Sequence, residues 1–181
     1  MNDLVSMFME KAKENLKRDG YLVPIAFMLI KGRLLMIPIR YQEGAKERFF
    51  ISLGAACKKE NGTQILLVLD MAARSLDKLT EDQLKYVMQN ITTEAPLTYP
   101  EGSPIRQEAI VVQLYDLTQK DYKVDTSNMA IQVYYKDKTG EIVFDDDKFA
   151  IPEGSQFDGT ILDCIRTGYD LDPSMFSDDL S

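Results

Sequence analysis

Asp70, Arg74, Arg106 and Glu108 carry the first chemistry that the sequence suggests. Asp70 ends an apolar run beginning at Gln64 (QILLVLD), and Arg106 and Glu108 open a second run that continues to Leu117. If the two runs are antiparallel neighbours, Asp70, Arg106 and Glu108 meet, with Arg74 beside them. A guanidinium grips a carboxylate or other anion through two parallel hydrogen bonds, so this mouth suits a small anionic ligand. The bland alternative is a group of strand-end ion pairs, which contribute little in water.

A second grouping is Asp145-Asp146-Asp147, which Asp163, Asp170 and Asp172 could join. Carboxylate oxygens suit magnesium or calcium, and a two-metal site would support a hydrolase or nuclease without histidine. The spacing matches no EF-hand loop, and acidic runs of this kind are ordinarily solvated turns.

A third is the stretch from Tyr169 to Ser181, where Tyr169, Leu171, Met175 and Phe176 alternate with Asp170 and Asp172. Acids that steer and aromatics that anchor are the composition of a segment that folds onto a protein partner.

The chain has no histidine. That removes Ser-His-Asp and Cys-His catalysis, histidine-ligated zinc and histidine proton shuttles. Cys57 and Cys164 lie on the apolar sides of two expected helices and read as small hydrophobic residues. The ten glycines are scattered, and no phosphate-cradling glycine loop occurs. No cofactor is expected.

Which elements position these residues? At 181 residues the chain suits one domain, with an expected boundary after residue 156 and an acidic helical or extended tail over 157–181. Leu4, Phe8, Ala12 and Leu16 recur at helical spacing over residues 2–19, and Gly20 supplies a left-handed stop. Two apolar runs, Tyr21–Ile30 and Leu34–Ile39, joined at Lys31-Gly32, predict a hairpin that sets Ile25 opposite Pro38. Residues 43–60 predict a second helix with a stripe of Phe49, Leu53, Ala56 and Cys57.

The strand from Gln64 follows, and the strand, helix, strand succession implies a parallel crossover. Residues 72–105 form a long connection, with a capping box at Thr80 and Gln83 opening a short helix. Met129–Lys136 and Glu141–Phe144 predict a hairpin turning at Gly140, and a last helix spans 158–167, closed by Gly168. The fold class is therefore α+β. It comprises a mixed, mostly antiparallel sheet of five or six strands with two main helices, in the order α-β-β-α-β-(α)-β-β-β.

Charge is uneven. Residues 1–60 carry 11 basic and 7 acidic side chains, whereas residues 121–181 carry 5 and 14. The acidic third repels nucleic acid and attracts basic surfaces. The expected function is a non-enzymatic interaction module or accessory subunit that binds a protein partner, one with a basic surface, through its acidic C-terminal third. The rivals are the metal-dependent hydrolase and the small-anion binder. Self-association is left open, and direct nucleic-acid binding is not expected. No apolar run is long enough for a membrane helix or a signal peptide, so the expected location is the cytoplasm. The run ENLKRDGYLVPIAFML at Glu14–Leu29, with DMAARS and RQEAIVV further on, resembles small bacterial or phage proteins without an assigned activity. That resemblance transfers no functional residue.

Overall fold

The computed structural model describes residues 2–74, 80–82, 85, 106–119, 126–146 and 160–171. It shows an α+β fold, a six-stranded antiparallel sheet with three helices among the described residues. Helix α1 runs Asp3–Asp19. The Asn2 side chain accepts from the Leu4 amide at 2.9 Å, and the Gly20 amide, at φ 76°, donates to the Leu16 carbonyl. The deeply buried stripe is Val5, Met9, Ala12 and Leu16. Leu4 and Phe8, expected in that stripe, lie half-buried beside it. Strict four-residue spacing advances about 40° per step around a helix, whereas mixing steps of four and three keeps the stripe straight.

Strands β1 (Ile25–Ile30) and β2 (Arg33–Pro38) form the expected hairpin, with Ile25 opposite Pro38. Both turn residues have positive φ, 48° at Lys31 and 76° at Gly32, the combination that follows the natural twist of paired strands. Helix α2 (Lys46–Lys59) buries Phe50, Leu53, Gly54 and Cys57, with Phe49 at the margin of the stripe. Strands β3 (Gln64–Arg74) and β4 (Arg106–Asp116) pair along their whole length. A 3-10 turn at Thr126–Asn128 leads to β5 (Met129–Lys136), which pairs with β6 (Ile142–Asp145). The Asp137 carboxylate closes their turn by accepting from the Thr139 and Glu141 amides, and Gly140 takes φ 84°.

The spatial order is β2-β1-β3-β4-β5-β6. The crossover expected from the sequence is present in altered form. β2 and β3 run parallel, but β1 lies between them, so every neighbouring pair is antiparallel. Helix α1 covers one face, packing on Leu66, Val68, Ile110 and Val112. Helices α2 and α3 (Thr160–Asp170) cover the other, on Ala26, Met28, Ile65 and Leu67. Alternate residues of β3 enter the two cores, and for this reason Ile65–Val68 reads as an unbroken apolar run.

Two boundaries differ from expectation. Strand β3 continues four residues past Asp70, and the helix at Thr80 is described only at Glu81, Asp82 and Lys85. Gly168 does not close the last helix. It lies inside α3, against the Ile51 carbonyl of α2, and Tyr169 beyond it is still buried.

Candidate functional site

The ladder between β3 and β4 sets Arg74 opposite Arg106, Ala72 opposite Glu108 and Asp70 opposite Ile110. Opposed residues, and every second residue along a strand, share a face. Asp70 and Glu108 thus share the face that α1 covers elsewhere, whereas Arg106 lies four residues along β4 from Ile110, so the ladder does not set it against Asp70 as the sequence suggested. β5 adds Tyr134, opposite Glu108, which sequence reasoning missed. Its side chain is buried, and its hydroxyl donates to both carboxylate oxygens of Asp70, at 2.9 and 3.0 Å. Two adjacent tyrosines, Tyr134 and Tyr135, stand in this strand, and the sequence does not say which of them meets Asp70. Only the cross-strand register reveals it.

Burial, and then the neighbouring Glu108 charge, raises the half-buried Asp70 carboxyl above its ordinary range, while the Tyr134 hydroxyl and Lys136 oppose the shift. The Tyr134 phenol is pushed far up by burial and by the two carboxylates, so it acts as a fixed donor and not as a base. Because the folded-state pKa of Asp70 is raised, its stabilising contribution is full below the ordinary carboxylate range. That contribution is lost as pH rises through the raised value. Asp70→Asn should therefore gain stability relative to the native chain between acidic and neutral pH. Urea midpoints compared from pH 3 to pH 7 check this, and a gap that does not change with pH would remove the account.

The acidic grouping does not converge. Asp145 takes the Gln107 side-chain amide at 3.3 Å, whereas Asp146 takes that of Gln132 at 3.1 Å. Gln107 and Gln132 lie on opposite faces of the sheet, so the two carboxylates point apart. Asp147 and Asp172 lie outside the described residues. Among the described residues, no three carboxylate or thiol groups are arranged to hold a metal ion.

At the C-terminal end, Tyr169 is a core residue of α3 and not the first anchor of a tail. It is 9% exposed, and its hydroxyl donates to the Gly62 carbonyl at 3.2 Å. Asp170 pairs with Arg166, and Leu171 is half-buried at the helix end. Asp172, Met175 and Phe176 lie outside the described residues. Cys57 is buried, and its thiol is pushed up to about 11 by burial. Burial, Glu47 and Asp163 also raise the Cys164 thiol, so neither cysteine is activated as a nucleophile.

Among the described residues, β2, an edge of the sheet, presents a run of exposed apolar side chains. Five of its six residues are exposed, among them Leu34 at 41%, Leu35 at 49% and Met36 at 57%. Half of the backbone donors and acceptors of an edge strand face away from its neighbour, ready to pair with another chain. On the α1 side, Met36 lies opposite Phe27, whose ring packs on Phe8 at 4.6 Å. A cleft of about 240 Å³ opens beside them between α1 and β1, lined by Phe8, Tyr21, Val23, Ile25 and Phe27 among others. Sequence reasoning missed this edge for a physical reason. RLLMIP is apolar on both sides, which is the pattern of a covered central strand.

No family model, curated protein or solved structure matches this chain. The reading of its function therefore rests on the geometry of the chain itself. No helix among the described residues is long and apolar enough to cross a membrane.

Proposed function

We propose that the protein is a non-enzymatic interaction module that binds a protein partner by strand addition along β2. The supporting observation is the edge itself, which presents Leu34, Leu35 and Met36 to solvent with no charged residue between Leu34 and Pro38. Native edges are ordinarily blunted by an inward lysine, a central proline or a bulge, and an edge left open this way is a pairing template. The acidic C-terminal third is a second contact surface in this reading. Asp163 and Asp170 are exposed on α3, and they suit a basic partner.

The test is capture of a stoichiometric partner by the full chain, followed by amide exchange on the complex. Slowed exchange at residues 33–38 is expected, as is loss of the partner in a chain carrying Leu34→Lys and Met36→Lys. Both positions are exposed, so the fold should change by no more than about 0.5 kcal/mol. A chain ending at Leu171 should keep the partner. Slowed exchange confined to residues 160–171 would instead place the contact on the acidic end and overturn the strand-addition reading.

A further inference from the structure

The chemistry around β2 specifies which strand it would accept. Lys31 and Arg33 stand exposed at one end, and Arg40 stands exposed two residues beyond the other. None of the three forms an ion pair with any described residue. The described acids near cations on α1 are already engaged, Glu14 with Lys11 and Asp19 with Arg18. A six-residue strand spans about 20 Å, so the edge is an apolar centre held between two cationic ends.

We infer that the occupant of β2 is an extended segment of a different protein, with an apolar centre five or six residues long and acidic residues at both ends. This inference rests on the strand-addition reading and adds the partner's chemistry to it. Backbone pairing to an edge carries no sequence information, so selection comes from the side chains. On the α1 side, a large apolar residue of the segment lies beside Met36 and the mouth of the cleft between α1 and β1. At the ends, carboxylates meet Lys31, Arg33 and Arg40.

The same charges argue against a second copy of this chain. Antiparallel pairing of β2 with itself brings Lys31 and Arg33 of one copy towards Arg40 of the other, and parallel pairing brings Arg33 to Arg33. Either alignment sets cation against cation, which disfavours the pair.

The experiment uses two fluorescent peptides with the same alternating valine and threonine centre, one ending in paired aspartates and the other in paired lysines. Anisotropy is read with the full chain and with the double variant Arg33→Glu, Arg40→Glu. The native chain should prefer the acid-ended peptide by on the order of tenfold at low salt, and the preference should shrink as salt screens it. The double variant should prefer the lysine-ended peptide. Equal affinity for both peptides would overturn the inference while leaving strand addition standing. If neither peptide binds and residues 33–38 exchange equally fast in a captured complex, strand addition itself fails. A concentration-dependent dimer with slowed exchange at residues 33–38 would assign the edge to a second copy and overturn the inference.

Discussion

Replacing Gly168 with alanine is expected to destabilise the protein by about 3 kcal/mol or more, and Gly54→Ala should do the same. The two glycines face each other across the α2–α3 contact. A Cβ at Gly54 would fall inside the Ile165 carbonyl and 2.9 Å from the Tyr169 amide nitrogen. One at Gly168 would fall inside the Ile51 carbonyl and 3.0 Å from the Ala55 amide nitrogen. These obstacles are backbone atoms, so no rotamer change relieves them. The helices must move apart, and Phe50, Leu53, Leu162 and Ile165 would then lose their packing. Alanine gains about 1 kcal/mol over glycine in helix propensity, too little to offset that loss. Gly20→Ala is the control. Its φ is positive, at 76°, unlike theirs, but the space around it is open, so its cost should be near 1 kcal/mol. Urea unfolding measures all three variants. A Gly168→Ala protein within about 1 kcal/mol of the parent would show that the helices do not pack this closely.

Arg166→Met should cost about 2–4 kcal/mol and loosen α3 first. Arg166 is 9% exposed. It donates from Nη1 to the Leu117 carbonyl at 2.6 Å and from Nε to Asp170 at 2.9 Å. Its guanidinium also lies 5.9 Å from the Tyr169 ring centre. A buried cation costs desolvation, and replacing a whole buried pair by apolar residues is often neutral. Here one acceptor is a backbone carbonyl that no substitution removes, so the loss dominates. Arg166→Lys should recover part of the stability, because an ammonium lacks the two-pronged fork that serves Leu117 and Asp170 together. Amide exchange of residues 160–170 should rise well before that of β3. Equal protection of α3 in parent and methionine variant would refute the assignment.

Much of the fold was legible where local chemistry decides the backbone. Gly20 ends α1, Lys31-Gly32 and Asp137–Gly140 set two hairpins, and the pairing of Ile25 with Pro38 follows from counting out from the first turn. What lay beyond reach is decided between segments far apart in the chain. Nothing in β2 or β3 says that β1 will separate them. Gly168 resembles a helix stop because glycine commonly ends an amphipathic run, yet it is there to let two backbones approach. The pairing of β3 with β4 was legible, and with it the shared face of Asp70 and Glu108, but the register that separates Asp70 from Arg106 was not. Nor was Tyr134, because its place depends on a third strand. The exposed edge at β2 was illegible for the same reason, since whether an apolar strand has one neighbour or two is not written in that strand.

The position of β2 has a kinetic side. Its partner β1 is joined to it by a two-residue turn, so this hairpin can form within microseconds. Strand β3 pairs with β1 only after the stretch that holds β2 and α2 has closed, and such non-local pairing is slow. For that interval the hairpin has two bare edges, and on a growing chain it has them before the rest of the sheet exists. β3 then covers one edge for good, while the other is left open by this chain's own fold. In both periods Lys31, Arg33 and Arg40 set cation against cation wherever two copies meet along β2, which disfavours edge-to-edge association.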